Sequence, residues 1–193
     1  MSPGPRPKRG VWWLRAARDR TTRAIAISPV LGPDAATDLD RRMMARAMDL
    51  ARDAAAQGEV PVGAVVFDTQ TGQTLGEGMN RRERHADPSA HAEFTAILAA
   101  ARKVKDWRLN HCSLAVTLEP CPMCAGLIVN ARVGRLIYGA DDPKAGAVRS
   151  LYSITGDRRL NHRPAVIGGV LAAESAQELQ GFFAKLREKR KRP

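Results

Sequence analysis

Three cysteines in 193 residues are too few for a disulfide framework and suit a reducing compartment. No apolar run approaches the roughly 18 residues that a membrane span requires, so a transmembrane helix is excluded and no membrane partner is expected. The N-terminal stretch lacks the apolar segment of a secretory signal, since Trp12-Trp13 is followed by scattered arginines. Internal repeats are absent as well. Acidic side chains are scarce at the two ends: residues 1–37 hold seven Lys/Arg against two Asp, and residues 185–193 hold six against one Glu. Between them, 18 basic side chains face 17 acidic ones, so the net charge of +11 belongs to the ends.

What is present is enough for one compact domain. The hydrophobic fraction of 44% can fill a core at this length. Three segments are expected. Residues 1–37 form a basic Pro/Arg-rich extension without regular structure, residues 38–184 form the folded domain, and residues 185–193 form a basic tail continuing the last helix. The extension also has the composition of an organellar transit peptide, and a start codon placed too far upstream is a further reading. The basic ends read either as solvated tails or as arms that add phosphate contacts to a polyanion.

Periodicity alternates between helix and strand. Met43, Met44, Ala47, Leu50, Ala51 and Ala54 lie at helical spacing within Asp40–Ala56, and Gly58 ends that helix. Strands are expected at Val60–Phe67 and Thr74–Gly78, joined by the turn Thr69-Gln70-Thr71-Gly72, then at Ser113–Leu118, Arg135–Tyr138 and Val166–Val170. A last helix begins at Glu174. The alternation predicts an α/β domain with helices on both faces of one sheet.

The chemistry-bearing residues are His91-Ala92-Glu93 and Pro120-Cys121-Pro122-Met123-Cys124. Asp87-Pro88 reads as a helix start, with Asp87 as N-cap and Pro88 in the first turn, which places His91 and Glu93 near that start. Glu119-Pro120 repeats the device. Cys121 and Cys124 then share one face near a second helix start, where the helix dipole favours thiolates. A Cys-x-x-Cys alone fits a redox pair or half of a zinc ribbon, but no second half exists. Cys112 stands alone before the alternation Leu114, Val116, Leu118 and reads as a core residue. One His and two Cys make a three-ligand zinc site open to water, with Glu93 as a proton carrier rather than a ligand. This pattern is the signature of zinc nucleobase deaminases.

From about Asp38 to Lys189 the chain resembles the bacterial tRNA adenosine deaminases of the TadA type, within the cytidine deaminase-like superfamily. The resemblance rests on Glu59–Val65, Gly78–Arg81, Asp87–Glu93, Thr117–Gly126, Gly139–Ala147 and Leu160–Arg163. It implies a three-layer α/β/α cytidine deaminase-like fold around a five-stranded mixed sheet. It also implies one Zn2+ per subunit on His91, Cys121 and Cys124, with Glu93 as the catalytic acid and base. The substrate would be the wobble adenosine in a tRNA anticodon stem-loop, and the enzyme a cytoplasmic homodimer. By the same resemblance Asn80 contacts the purine through its amide, Pro61 and Val62 wall the base, and Asp142 lies near the RNA sugars. Lys144, Arg149, Asn161, His162 and Arg163 are expected at the RNA backbone, and Phe183 beside a nucleotide. Each has a plainer reading too: Asn80 and Asp142 as turn residues, Val62 and Phe183 as core, His162 as a surface histidine. Phe94, Asp141 and Gly181 depart from the family pattern. Two alternatives stay open, a deaminase of free guanine, cytosine or a nucleoside, and a non-enzymatic zinc-bearing RNA-binding protein.

Overall fold

A computed structural model describes residues 27–191. The expectations for residues 1–26 and 192–193 lie outside the described residues. In chain order the elements are β1 (Val30–Leu31), α1 (Asp38–Ala56), β2 (Gly63–Asp68), β3 (Thr74–Met79), α2 (Arg82–His85), α3 (Ala92–Val104), β4 (Cys112–Leu118), α4 (Pro122–Asn130), β5 (Arg135–Ala140), β6 (Ala165–Gly168) and α5 (Ala172–Lys191). The strands form one mixed sheet in the order β1-β6-β5-β4-β2-β3. β4, β5, β6 and β1 run parallel, and β2 is antiparallel to both β4 and β3.

Among the described residues the sheet has six strands where five were expected. The sixth comes from the extension expected to lack regular structure, which is corrected over residues 27–37. Val30 and Leu31 pair with Val166 and Ile167, and the Ser28 N–H donates to Gly156 O. An otherwise open edge is thereby covered.

Side chains alternate across the sheet and meet a helix layer on each face. Ala64, Val66, Leu114, Val116, Leu136 and Tyr138 pack with Ala96, Ile97 and Ala100 of α3 and Ile128 of α4. Val65, Phe67, Ala115, Ile137 and Ile167 pack with Met44, Ala47, Leu50 and Ala54 of α1. α5 lies on this second face, where the Ser175 hydroxyl meets the Met48 sulfur. The three-layer α/β/α arrangement is thus as expected. Cys112 is buried in the first cluster, and burial pushes its thiol up to about 11, which keeps it inert.

Two contacts set the helices on the sheet. Gly76 and Gly78 of β3 face the α3 backbone so closely that a Cβ at either position would collide with the carbonyl of Ala96 or Ala92. Their lack of a side chain lets α3 lie directly on the strand and fixes the position of its N-terminus. α1 begins with a capping box, in which Thr37 Oγ1 accepts from the Asp40 N–H and the Asp40 carboxylate accepts from the Thr37 N–H. The buried Asp40 also accepts two bonds from the Arg135 guanidinium, at 3.2 and 2.7 Å, tying α1 to β5. Gly181 in α5 meets nothing that an added Cβ would strike, so packing does not require this departure from the family pattern.

Burial alone would raise the Asp40 carboxyl, but the bonds from Arg135 and Thr37 hold it below its usual range. Its stabilising contribution is therefore complete above the unfolded carboxylate pKa and is lost as the pH falls through the folded one. Asp40→Ala should cost about 3 kcal/mol in urea unfolding at neutral pH, the low end for breaking a buried pair because Arg135 stays partly exposed. The gap between parent and variant should close below about pH 4.

Candidate active site

His91, Cys121 and Cys124 offer ligand atoms that all lie within 4.8 Å of one another. His91 Nδ1 is 3.7 Å from Cys121 Sγ and 3.5 Å from Cys124 Sγ. Tetrahedral zinc with ordinary Zn–S and Zn–N bonds separates such atoms by about 3.6 Å, so the donor set fits that ion in both chemistry and spacing.

The local chain explains how the ligands arrive. His91 is the N-cap of α3 and Cys121 the N-cap of α4, and neither side chain caps its helix. The expected helix start at Asp87 is corrected. The Asp87 carboxylate accepts from both the N–H and the hydroxyl of Ser89, closing a turn before the helix begins. Both helix N-termini therefore point their positive ends at the ligand set. The neighbouring Cys124 thiol and the His91 ring together hold Cys121 down to about 4, so this sulfur is a thiolate at neutral pH. Cys124 is pushed the other way by its hydrogen bond with Cys121 and by burial, as two thiols sharing one proton require.

Glu93 is 4% exposed and lines a cavity of about 200 Å³ together with His91, Cys121, Asn80 and Val62. Burial raises its carboxyl above the usual range. A carboxylate moved towards neutrality accepts and returns a proton more readily. Val60, Leu118 and Asp142 line this cavity and also an adjoining groove of about 600 Å³, whose far wall includes Lys144, Phe183 and Arg187.

Two further buried carboxylates shape the walls. Glu119-Pro120, expected like Asp87-Pro88 to start a helix, is corrected in the same way, since α4 begins at Pro122 with Cys121 as its N-cap. Glu119 accepts from the N–H groups of Asp142, Val148, Arg149 and Ser150 and from the Ser150 hydroxyl. Burial raises this carboxyl, but the Ser150 hydroxyl and these N–H groups outweigh it and hold it below its ordinary range. Glu59 accepts from Asn80 Nδ2 at 3.2 Å and from the N–H groups of Glu83 and Arg84 at 3.3 and 2.7 Å. Their partners lie 21 to 31 residues away, beyond any local pattern.

The MafB19-like deaminase family model matches residues 39–187. The tRNA-specific adenosine deaminase of Haemophilus influenzae is 44% identical over 155 residues, covering 80% of this chain and 89% of that protein. The Bacillus subtilis enzyme of the same name is 41% identical over 152 residues, covering 79% and 93%. The chain belongs to the tRNA-specific adenosine deaminase family. A solved structure from work on A-to-I editing by tRNA:A34 deaminases at the wobble position of transfer RNA has a TM-score of 0.67 and 40% identity. The match covers 72% of this chain and 99% of that one.

Within that family frame the expected substrate residues separate into three groups. Asn80, Val62 and Asp142 line the cavity that Glu93 faces. Pro61 does not line it: the Val62 N–H donates to Val60 O, and the resulting tight turn buries Pro61 while presenting Val60 and Val62. Lys144 and Phe183 line the adjoining groove with Asp142.

Arg149 lines neither space, because its guanidinium is paired twice with Asp141 at 3.0 and 2.7 Å. That pair also neutralises the acidic departure at Asp141. Asn161, His162 and Arg163 lie elsewhere. His162 Nε2 bonds Val133 O at 2.8 Å, Asn161 O accepts from Arg132, and Arg163 donates to the carbonyls of Arg158 and Leu160. These contacts sit where β5 begins, whereas the ligands follow the end of parallel β4, roughly 20 Å along the sheet. The three residues are thus not brought together with the site.

Glu119→Gln should set an amide donor against the N–H of Asp142 or of residues 148–150. Amide exchange over residues 142–150 should accelerate, with a stability loss of about 2 kcal/mol. Cys121→Ser should lose bound metal, read as zinc per chain in the purified protein.

Proposed function

We propose that this protein deaminates adenosine to inosine hydrolytically at the wobble position of tRNA, releasing ammonia. The observation that carries this reading is the convergence of His91, Cys121, Cys124 and the buried Glu93 on one cavity, in a chain of this family. His91, Cys121 and Cys124 would hold one zinc ion per chain, with a fourth position left for water. When bound, that ion supplies Lewis-acid activation of the water at neutral pH.

Glu93 takes a proton from the attacking water as its oxygen bonds to C6 of adenine. It delivers that proton to N1 and then carries the proton of the new C6 hydroxyl to the amine, so that the C6–N bond breaks, ammonia leaves and the C6 carbonyl forms. Its burial strengthens it as the base of the first half, and a carboxyl shifted towards the working pH can still give the proton up in the second. Val60 and Val62 give the base apolar walls, and Asn80 offers it an amide that both donates and accepts.

The shape supports an unpaired substrate. The cavity admits a single extruded base, and the groove that continues past Asp142 leaves room for a flanking nucleotide beside Phe183, Lys144 and Arg187. A base held in a duplex cannot reach Glu93, whereas one in an anticodon loop can. A homodimer and a cytoplasmic location accompany this reading through the family resemblance. Among the described residues no helix is long and apolar enough to cross a membrane.

Incubation with an anticodon stem-loop whose target nucleotide is adenosine should yield inosine and ammonia. Conversion of free guanine alone would overturn the tRNA reading. Glu93→Ala should retain zinc and lose at least about 100-fold in kcat, which single-turnover assays and metal analysis together measure. Turnover at the parent rate would remove Glu93 from its assigned role.

A further inference from the structure

Glu59 is 1% exposed, lies outside the ligand set and does not line the cavity. A carboxylate buried this deeply must have its oxygens satisfied. Here one of its three hydrogen bonds comes from Asn80, which does face the cavity. We propose that Glu59 is a positioning residue for base recognition, acting through Asn80. This rests on the assignment of the Asn80 amide to the base-facing wall.

An asparagine amide is nearly symmetric in shape and can turn over, exchanging its donor and acceptor faces. A carboxylate accepts only. With Glu59 Oε2 taking one N–H of Nδ2, the amide is held in a single orientation. The second N–H and the carbonyl oxygen are left for a ligand, and Oδ1 is not among the buried polar atoms that lack a partner. The Asn80 backbone is fixed independently, its N–H donating to Val62 O at 2.9 Å, so what remains to be set is the side chain. Glu59 sets it.

The same carboxylate reaches the adjacent wall. Its bonds to the N–H groups of Glu83 and Arg84 hold the short α2 turn, which carries Arg82 at the cavity edge. A recognition site whose polar groups are pre-oriented discriminates between bases, because the wrong edge leaves those groups unpaired.

The test is a double-mutant cycle on a stem-loop substrate. Glu59→Gln replaces the pure acceptor by an amide that can itself turn over. It should lower kcat/KM at least about tenfold while zinc content stays near that of the parent and the protein, though it melts earlier, remains folded at the assay temperature. In an Asn80→Ala background the same change should cost little, since the group it orients is gone. A merely structural role would show the same loss in both backgrounds, and that result would overturn the proposal. If Glu59→Gln does not fold, Glu59→Asp, which keeps the charge but shortens the reach by one carbon, is run through the same cycle with the same two outcomes. An unchanged kcat/KM for Asn80→Ala alone would also overturn it. Inosine formation by the parent would still stand, so failure here is distinct from failure of the deaminase reading.

Discussion

Two helix N-termini aimed at one point are the constraint on which the rest of the site depends. Helix starts usually satisfy their free N–H groups with a Ser, Thr, Asp or Asn side chain at the N-cap. Here both N-caps are a histidine and a cysteine whose side chains are turned to the ligand set instead. The cost is two helix ends without side-chain caps. What is obtained is a concentration of positive potential where a thiolate and the carboxylate of Glu93 must sit together. The close approach of α3 to β3 across Gly76 and Gly78 holds one of these ends in place, and the continuous run from β4 into α4 holds the other.

The walls depend on buried acceptors in a similar way. Glu119 gathers the loop after β5 through four backbone N–H groups and a hydroxyl, while Glu59 gathers Asn80 and the α2 turn. A buried carboxylate is tolerable only when its oxygens are fully engaged, and bonds to a charged acceptor contribute roughly 1.5–3 kcal/mol each. Loops that would otherwise move are thus made into rigid sides of a cavity. Asp142 belongs to both systems: its N–H is held by Glu119, its carboxylate accepts from the Lys144 and Ala145 N–H groups, and it stands where cavity and groove meet. The turn-forming and substrate-facing readings of this residue are compatible, since one oxygen closes the turn and the residue still faces the open space.

Charge is distributed differently from what the basic composition suggests. Around the catalytic cavity several charges are committed: Arg149 to Asp141, and Glu59 and Glu119 to backbone donors. Lys144 and Arg187 remain along the groove. The Asn161-His162-Arg163 segment closes the loop onto the start of β5, through carbonyl contacts of its own.

The ligand set, the proton carrier and the α/β layering were readable from the sequence because each is carried by short-range pattern. One residue separates His91 from Glu93, two separate Cys121 from Cys124, and alternating apolar positions mark β4. Helix starts were less well determined, because Asp87 has two local partners available and only the packed chain selects the Ser89 turn over a cap. The strand at Val30–Leu31 was invisible, since two apolar residues become a strand only when β6 offers its free edge. Tertiary structure alone decided that Glu59 and Glu119 are buried anchors, that Pro61 turns away from the base wall, and that Arg149 is spent on Asp141. In each case the deciding partner lies within a turn or across the fold, where hydrogen-bond geometry, and not residue type, assigns the role.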